Sequence, residues 1–437
     1  MQSQAPSPGP PHAACPRPVV VVATLAASLL VWVSVVTAPS SGAHRLTTEP
    51  PAEAAAVTSC TAADRRALAA SGGDEDSWKA MGRCMVEANA ARNAILVLHI
   101  SKSGGTSACE TARLERCSIG DSDGGYGIPG DDGGGVFTNC NDPRLDDGPH
   151  WLATSADASY HTNLDNFPSK RRDLGVATCA QRRDWAAAHR MNYMQIENFY
   201  SSEMQAEASC AAYFVNVVYV RDPLDRLFSH YREILTNSGG PSLIPRYDAN
   251  LKQTGIGWGS DWSDERLYLD PSSTPRAYNV SYLSRLMSIL SDNYNVRSLA
   301  GEDVFSLPFG AIGESQYAVA LEALRNFDWV IPLGAPATDR ILHVGLGWAS
   351  GMDDLSRDQK RPARGGPDAF LPFSASDVAQ LSELNRFDLR LGGEVSRLHA
   401  LDVASIEQLQ RYYPAAVAPG PASDNCCGRT CLAAGEA

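Results

Sequence analysis

Lysine is scarce in this chain. Of 437 residues only five are lysine, so arginine supplies 32 of the 37 basic side chains, and the acidic excess leaves a net charge of −13. That balance argues against a general nucleic-acid binder, which carries a basic surface along the phosphate track. Any anion bound here must be held by a few local cations. The Gly-x-x-x-x-Gly-Lys-Ser/Thr loop of nucleotide triphosphatases is also missing, as are an internal repeat and a metal-binding cluster. "CCGRTC", Cys426 to Cys431, resembles a zinc knot only superficially, and a disulfide in the tail is the better reading. "GDSDGGYGIPGDDGGG", Gly120 to Gly135, has aspartates spaced as in a calcium loop but lacks the closing glutamate of an EF-hand, and reads as an acidic surface insertion.

Charge is absent altogether from "PVVVVATLAASLLVWVSVVTA", Pro18 to Ala38. About 20 apolar residues span a bilayer, whereas the apolar core of a cleaved signal is shorter, about 7–15 residues. A cut after Ala38 would also leave Pro39 as the first residue. The segment therefore reads as a signal anchor, ahead of a cleaved signal or a core helix. Arg17 on its N-terminal side favours a cytosolic tail over residues 1–17 and a lumenal remainder. An Ala/Pro/Ser/Thr-rich stem follows over residues 39–58, then a body over 59–415 and a cysteine-containing tail over 416–437. Ten of the eleven cysteines follow the apolar segment, an even number suited to an oxidising compartment, and Cys15 precedes it. Asn279-Val280-Ser281 is the one N-glycosylation sequon.

Hydrophobic residues make up 44% of the chain, enough for a core in one large domain or two ordinary ones. "ILVLHISKSGGTS", Ile95 to Ser107, is an apolar run that breaks into a lysine, two glycines and several hydroxyls. The run from Ala94 to Ile100, interrupted only by His99, predicts a strand buried on both faces. "TSACETARLERC", Thr106 to Cys117, predicts a helix. A strand, a glycine-bearing loop and a helix start make an anion site, because amides and the helix dipole face the ligand and Lys102 adds a charge. Alone, the stretch fits an ordinary strand-to-helix turn equally well.

"FVNVVYVRDPLDRLFSHY", Phe214 to Tyr231, repeats the layout. Phe214 to Val220 predicts a second buried strand, Asp222 an N-cap and Pro223 the first helical position. Leu224, Leu227, Phe228, Tyr231 and Leu235 form one apolar helical face. Arg221 stands at the strand end, and Ser229 lies off that face.

Together the two stretches resemble the sulfotransferase family in its Golgi membrane-bound branch. "HISKSGGTS" is similar to that family's 5′-phosphosulfate loop, H-I-P-K-T-G-G-T-S, with Ser101 in place of the usual proline and Ser103 in place of the usual threonine. "VRDPLDRLFSHY" is similar to its 3′-phosphate motif, with Arg221 and, eight residues on, Ser229. "DNYNVRSLAG", Asp292 to Gly301, and "LNRFDLRLGGE", Leu384 to Glu394, match two further segments more loosely. The resemblance implies an α/β fold with a mainly parallel central sheet flanked by helices, of the P-loop nucleotide-hydrolase-like kind. It implies a Golgi membrane protein of type II topology with a lumenal catalytic domain. Its co-substrate would be 3′-phosphoadenosine-5′-phosphosulfate, bound by Lys102, Ser103, Gly104, Gly105, Thr106, Ser107, Arg221 and Ser229, with no metal. The acceptor would be a hydroxyl on a carbohydrate or another molecule. The family's base follows its second strand, and "RRDWAAAHRMNYMQIENFY", Arg182 to Tyr200, fits that place. Trp185 to Arg190 reads as a helix end and Met191 to Ile196 as a strand closed by Glu197, whose carboxylate is expected to face the cleft. His189 is the rival base, and His99 reads as a core residue beside the loop. A nucleotide phosphotransferase and a binding protein that keeps the fold without turnover are the competing functions.

Elsewhere, Leu283, Leu286, Met287, Leu290 and Tyr294 predict one helical face, Glu314 to Phe327 a helix, Asp328 to Gly334 a strand, and Thr338 to Trp348 a helix. "RDQKRPARGG", Arg357 to Gly366, is a local basic loop that serves equally as a solvated linker or as a cover for an anion. The topology is testable. Protease protection of sealed microsomes, with N-terminal sequencing, should show an uncut chain protected from Pro39 onward; a mature chain starting near Pro39 or His44 would make the segment a cleaved signal.

Overall fold

The structure, a computed structural model, describes residues 60–119, 140, 178–197, 199–200, 202–206, 210–236, 278–286, 288–305, 307–352, 373–420 and 426–431. All of them fall within the unit Ala55–Ala437. The tail, apolar segment and stem read over residues 1–58 lie outside the described residues, as do the acidic insertion and the basic loop. Among the described residues no helix is long and apolar enough to cross a membrane.

Helices α1 (Ala62–Ser71) and α2 (Glu75–Ala91) precede β1 (Ala94–His99) and α3 (Gly105–Leu114). Next come α4 (Cys179–Ala188), β2 (Tyr193–Ile196), β3 (Phe214–Val220) and α5 (Pro223–Thr236). Then follow α6 (Tyr294–Leu299), α7 (Glu314–Arg325), β4 (Trp329–Pro332) and α8 (Arg386–Tyr412). The four strands form one parallel sheet in the order β2-β1-β3-β4. Leu98 lies opposite Ile196 on one side and Val218 on the other, and His99 lies opposite Tyr219.

Alternation along the strands sends successive side chains to opposite faces, and both faces are covered. Leu96, Leu98, Met194, Ile196, Val218 and Val220 pack with Leu227 and Tyr231 of α5, with α6 and α7, and with the first half of α8. Ile95, Val97, Val215, Val217, Trp329 and Ile331 pack with Trp78 and Met81 of α2, with α3, and with Ile406 and Leu409 of α8. That is why the strands read as near-continuous apolar runs, broken only by His99, Gln195 and Asn216. The long α8 thus serves both faces, passing along β4. There Asp402, fully buried, accepts from the Val330 amide (3.3 Å) and from Arg65 (2.9 Å) and Arg66 (2.8 Å), and His399 Nδ1 lies 3.2 Å from the Val330 carbonyl. Helix α8 therefore occupies hydrogen-bonding positions on β4 that no fifth strand among the described residues fills.

Several boundaries differ from the sequence reading. The expected face over Leu283 to Tyr294 is not one helix but Val280–Leu286, Ser288–Ser291 and α6. The break before α6 falls at Asn293, which takes a left-handed backbone (φ 51°) and uses its side chain to bind α8. Instead of a regular helix over Thr338 to Trp348, one α-turn, Thr338–Arg340, opens into a π-helix, Ile341–Leu346. The C-terminal tail packs on that wider turn: the Arg429 amide donates to the Leu346 carbonyl (3.0 Å) and the Gly420 amide to Gly347 (3.1 Å). Helix α3 starts at Gly105 and ends at Leu114, short of Cys117, and α7 ends at Arg325. Strand β2 begins only at Tyr193, and β4 covers Trp329–Pro332. Asn279 of the sequon is exposed, immediately before the helix Val280–Leu286.

Five disulfides pair all ten cysteines after Cys15: Cys60–Cys84, Cys109–Cys140, Cys117–Cys427, Cys179–Cys210 and Cys426–Cys431. Two of them hold α3, one from within the helix and one just beyond its end.

The two loosely matching stretches, Asp292 to Gly301 and Leu384 to Glu394, bind each other. Asn293 Oδ1 accepts from the amides of Phe387 (2.9 Å) and Asp388 (3.1 Å). In return Asp388 accepts from the amides of Asn295 and Val296, both at 2.8 Å. Arg297, fully buried, pairs with Asp292 (2.5 Å) and donates to the carbonyls of Phe305 (3.0 Å) and Leu307 (2.7 Å). Burial pushes the Asp388 carboxyl up from 3.8 to about 6, against the downward pull of Arg226 and of the two amides. A carboxyl raised in the folded chain binds its proton more tightly there than when unfolded. Its contribution is complete below the unfolded value and is lost as pH rises through the folded one. Urea unfolding should therefore show stability falling between pH 3.8 and about 6, with that component of the slope removed in Asp388→Asn. Equal slopes in the two proteins would mean that Asp388 titrates normally.

Candidate functional site

Strand order decides where a site can form. From β1 the chain passes to β2 on one side, then returns to β3 on the other, so the connections diverge between β1 and β3. In parallel sheets the crevice outside the carboxyl ends of such a pair is where ligands bind. The Lys102 loop leaves β1 at that point, and Arg221 follows β3. The structure brings the two together: Arg221 Nη1 donates to the Lys102 carbonyl at 3.4 Å.

The loop is tightly turned. Lys102 and Gly104 both have left-handed backbones, at φ 67° and 91°. The Ser103 amide donates to the Ile100 carbonyl (3.0 Å), and the Ala108 amide donates to Gly104 (2.9 Å), beginning the ladder of α3. The amides of Gly104, Gly105, Thr106 and Ser107 thus precede that ladder at the positive end of the helix. Lys102, Thr106 and Ser107 are partly exposed, while Ser103 is fully buried and its Oγ meets no hydrogen-bond partner. Gly105 is a glycine for a local reason. A Cβ placed there would lie 2.1 Å from the His99 ring. His99 is buried as the sequence suggested; burial pulls its pKa down, and Lys102 adds to that against the opposite pull of Glu197.

On α5 the capping reading holds. The Leu224 and Asp225 amides both donate to Asp222 Oδ1 at 3.0 Å, and Pro223 opens the helix. Leu227 and Tyr231 are buried, Leu224 and Phe228 partly so, and Ser229 is half-buried. The side chain of Leu235 lies outside the described residues.

The two candidate bases separate. Glu197 follows the last residue of β2, opposite His99, and so lies at the carboxyl edge with the loop. His189 caps the end of α4, ahead of β2, with its ring 3.9 Å from that of Trp185. The four residues of β2 span about 13 Å and stand between His189 and that edge. Glu197 differs from expectation in another way: it is more buried than expected, at 3% exposed. Ser101 Oγ donates to its Oε1 at 2.7 Å, and its Oε2 lies 3.6 Å from His99 Nδ1. Ser101, its hydrogen-bond partner, is itself buried.

Two further residues at this edge escaped the sequence reading. Arg226 and His230 are fully buried on α5, with Arg226 Nη1 3.0 Å from His230 Nδ1 and His230 Nε2 3.5 Å from Ser101 Oγ. Arg226 also stacks on the Tyr294 ring at 4.3 Å. The available signal was their spacing of four along one helix, beside the apolar stripe. Among the described residues no cluster of His, Cys, Asp and Glu is suited to a metal.

No family model matches this chain, and neither a curated protein nor a solved structure does.

The Gly105–His99 contact yields a test of the loop. Gly105→Ala should lower stability by about 1–3 kcal/mol, the usual cost of overpacking. Adding His99→Ala should recover most of that loss, and strict additivity of the two changes would contradict the contact.

Proposed function

We propose that this protein transfers a sulfuryl group from 3′-phosphoadenosine-5′-phosphosulfate to an acceptor hydroxyl, with a carbohydrate as the favoured acceptor class. The observation that carries the reading is the convergence of the Lys102 loop and Arg221 at the carboxyl ends of β1 and β3. The donor carries anions at two places, and this edge offers two sets of groups for them. The Ser103 Oγ, buried without a partner, is an orphan that a loop-bound anion would satisfy.

In this reading the 5′-phosphosulfate lies on the loop, held by Lys102, by the amides of Gly104 to Ser107 and by the Ser103, Thr106 and Ser107 hydroxyls. Arg221 grips the 3′-phosphate through its fork of donors, with Ser229 beside it. The acceptor oxygen attacks sulfur in line, and negative charge grows on the leaving phosphate oxygen. Lys102 and the loop amides stabilise that charge where it develops. Glu197, under the loop, takes the acceptor proton. Residues 18–38 anchor the chain in the Golgi membrane with the catalytic body lumenal. A nucleotide phosphotransferase fits less well, because Lys102 precedes the glycines. A binding protein without turnover would retain the same donor contacts.

The deciding experiment is incubation of the protein with radiolabelled donor and a panel of glycans, peptides and small alcohols, together with variants at Arg221, Lys102, Glu197 and His189. Arg221→Ala should weaken 3′-phosphoadenosine 5′-phosphate by about 1.5–3 kcal/mol, the worth of a charged hydrogen bond, and barely affect adenosine 5′-phosphate. Lys102→Ala should lower both turnover and donor affinity. Glu197→Gln should preserve donor affinity and cut turnover by about 10²–10⁴-fold. Label transfer to no acceptor, with donor binding intact, would favour the binding protein. Normal turnover of Glu197→Gln beside a dead His189 variant would move the base to His189.

A further inference from the structure

We infer that Ser101 and His230 are positioning residues for Glu197, forming with Arg226 a buried hydrogen-bond chain that runs Arg226→His230→Ser101→Glu197 and fixes the carboxylate under the donor loop. The inference rests on the assignment of Glu197 as the acceptor's base.

The direction of every link follows from one end. A guanidinium has donors only, so at 3.0 Å from Arg226 Nη1 the His230 Nδ1 must accept. A neutral imidazole with an accepting Nδ1 carries its proton on Nε2. That Nε2–H points to Ser101 Oγ, a long link at 3.5 Å. Ser101 then has its own proton to give, and Glu197 Oε1 takes it at 2.7 Å, the length of a hydroxyl bound to a carboxylate. A doubly protonated His230 would set a donor against the Arg226 donor, so the chain runs in this sense alone.

Its burial makes the chain costly as mere filling. Arg226 and His230 are 0% exposed, Ser101 1% and Glu197 3%. Polar groups removed from water cost free energy unless each is paired. Arg226 has a second fixed point, its Nη2 donating to the Leu290 carbonyl at 2.9 Å. The result is a rod of oriented donors anchored in α5 and ending on one carboxylate oxygen. The other oxygen faces His99 Nδ1 at 3.6 Å, too distant for a direct bond. Among the described residues, His99 on β1 and Tyr294 on α6 are ionisable groups that interact with Glu197; Lys102 in the loop acts on His99, His230 and Arg226 on α5 complete the chain, and Asp388 of α8 acts on Arg226. Ser101 is also where the sequence departs from the loop it resembles. A proline there has no hydroxyl and would end the chain one link short of Glu197.

Two measurements on the full-length protein test this, and neither needs turnover. Nitrogen-15 NMR of histidine-labelled protein should show His230 protonated at Nε2 alone from pH 5 to 8; an Nδ1–H tautomer or a doubly protonated ring in that range overturns the chain. Infrared titration of the Glu197 carboxylate, isolated by subtracting the Glu197→Gln spectrum, should show its midpoint rise by about one pH unit in Ser101→Ala, because a hydrogen bond to the charged form is lost. The midpoint should return in Ser101→Thr, which restores the hydroxyl. An unmoved midpoint in folded Ser101→Ala overturns the proposal. If the enzyme turns over, the acid limb of its kcat/KM profile should move with the infrared midpoint, with the donor KM unchanged. An acid limb that stays fixed while the infrared midpoint moves would overturn the positioning role. A wild-type protein with no sulfuryl transfer would remove the catalytic assignment, and the role resting on it, while the spectroscopic arms still decided the chain itself.

Discussion

The parallel pairing of β1 with β3 is the constraint on which the rest depends. In-register pairing from Ala94–Phe214 to His99–Tyr219 brings both strands to the carboxyl edge at one level. The Lys102 loop and Arg221 then emerge side by side although 119 positions separate them in sequence. Parallel neighbours require long crossovers and cover on both faces. The apolar strands, the helices on each face and the double service of α8 all answer that requirement.

The interior carries more charge than a simple apolar core. Asp402 gathers Arg65 and Arg66 from α1 and ties them to the β4 backbone. Asp388 and Asn293 join α8 to α6 through amide bonds. Removing one partner from such a buried pair costs about 3–5 kcal/mol, much of it the penalty of the charge left behind. Their value lies in specifying one arrangement: an apolar contact tolerates sliding, whereas Asp388 accepts from two adjacent amides in only one register of α8 against α6.

Legibility in the sequence followed range. The β1 and β3 strands, the Asp222 cap and the Pro223 start were visible because each is set by neighbours within a few positions. The parallel sheet followed from apolar runs with no polar alternation. The break at Asn293 was not visible, because the apolar spacing from Leu283 to Tyr294 fits a continuous helix and the competing partner, the Phe387 amide, lies 94 residues away. The π-turn at Ile341–Leu346 likewise depends on a tail arriving from beyond position 418. For Glu197 the sequence placed the residue at the end of β2 but did not show its burial, because its hydrogen-bond partner, Ser101, lies 96 positions earlier. His189 looked equivalent in sequence only because β2 is four residues long, and those four residues carry it to the other edge.

The Cys117–Cys427 bond also has a consequence for timing. Its two halves are 310 residues apart. At a synthesis rate of about 5–20 residues per second, Cys117 waits on the order of 15–60 s for its partner to be made. Cys109, within α3 just ahead of it, finds Cys140 after only 31 residues. In an oxidising compartment the early thiol of Cys117 is thus exposed to the wrong partners throughout translation. The helix that begins at the Lys102 loop receives its last fastening only when Cys427 has been delivered, so a nascent chain that has not reached that residue holds a looser loop than one that has.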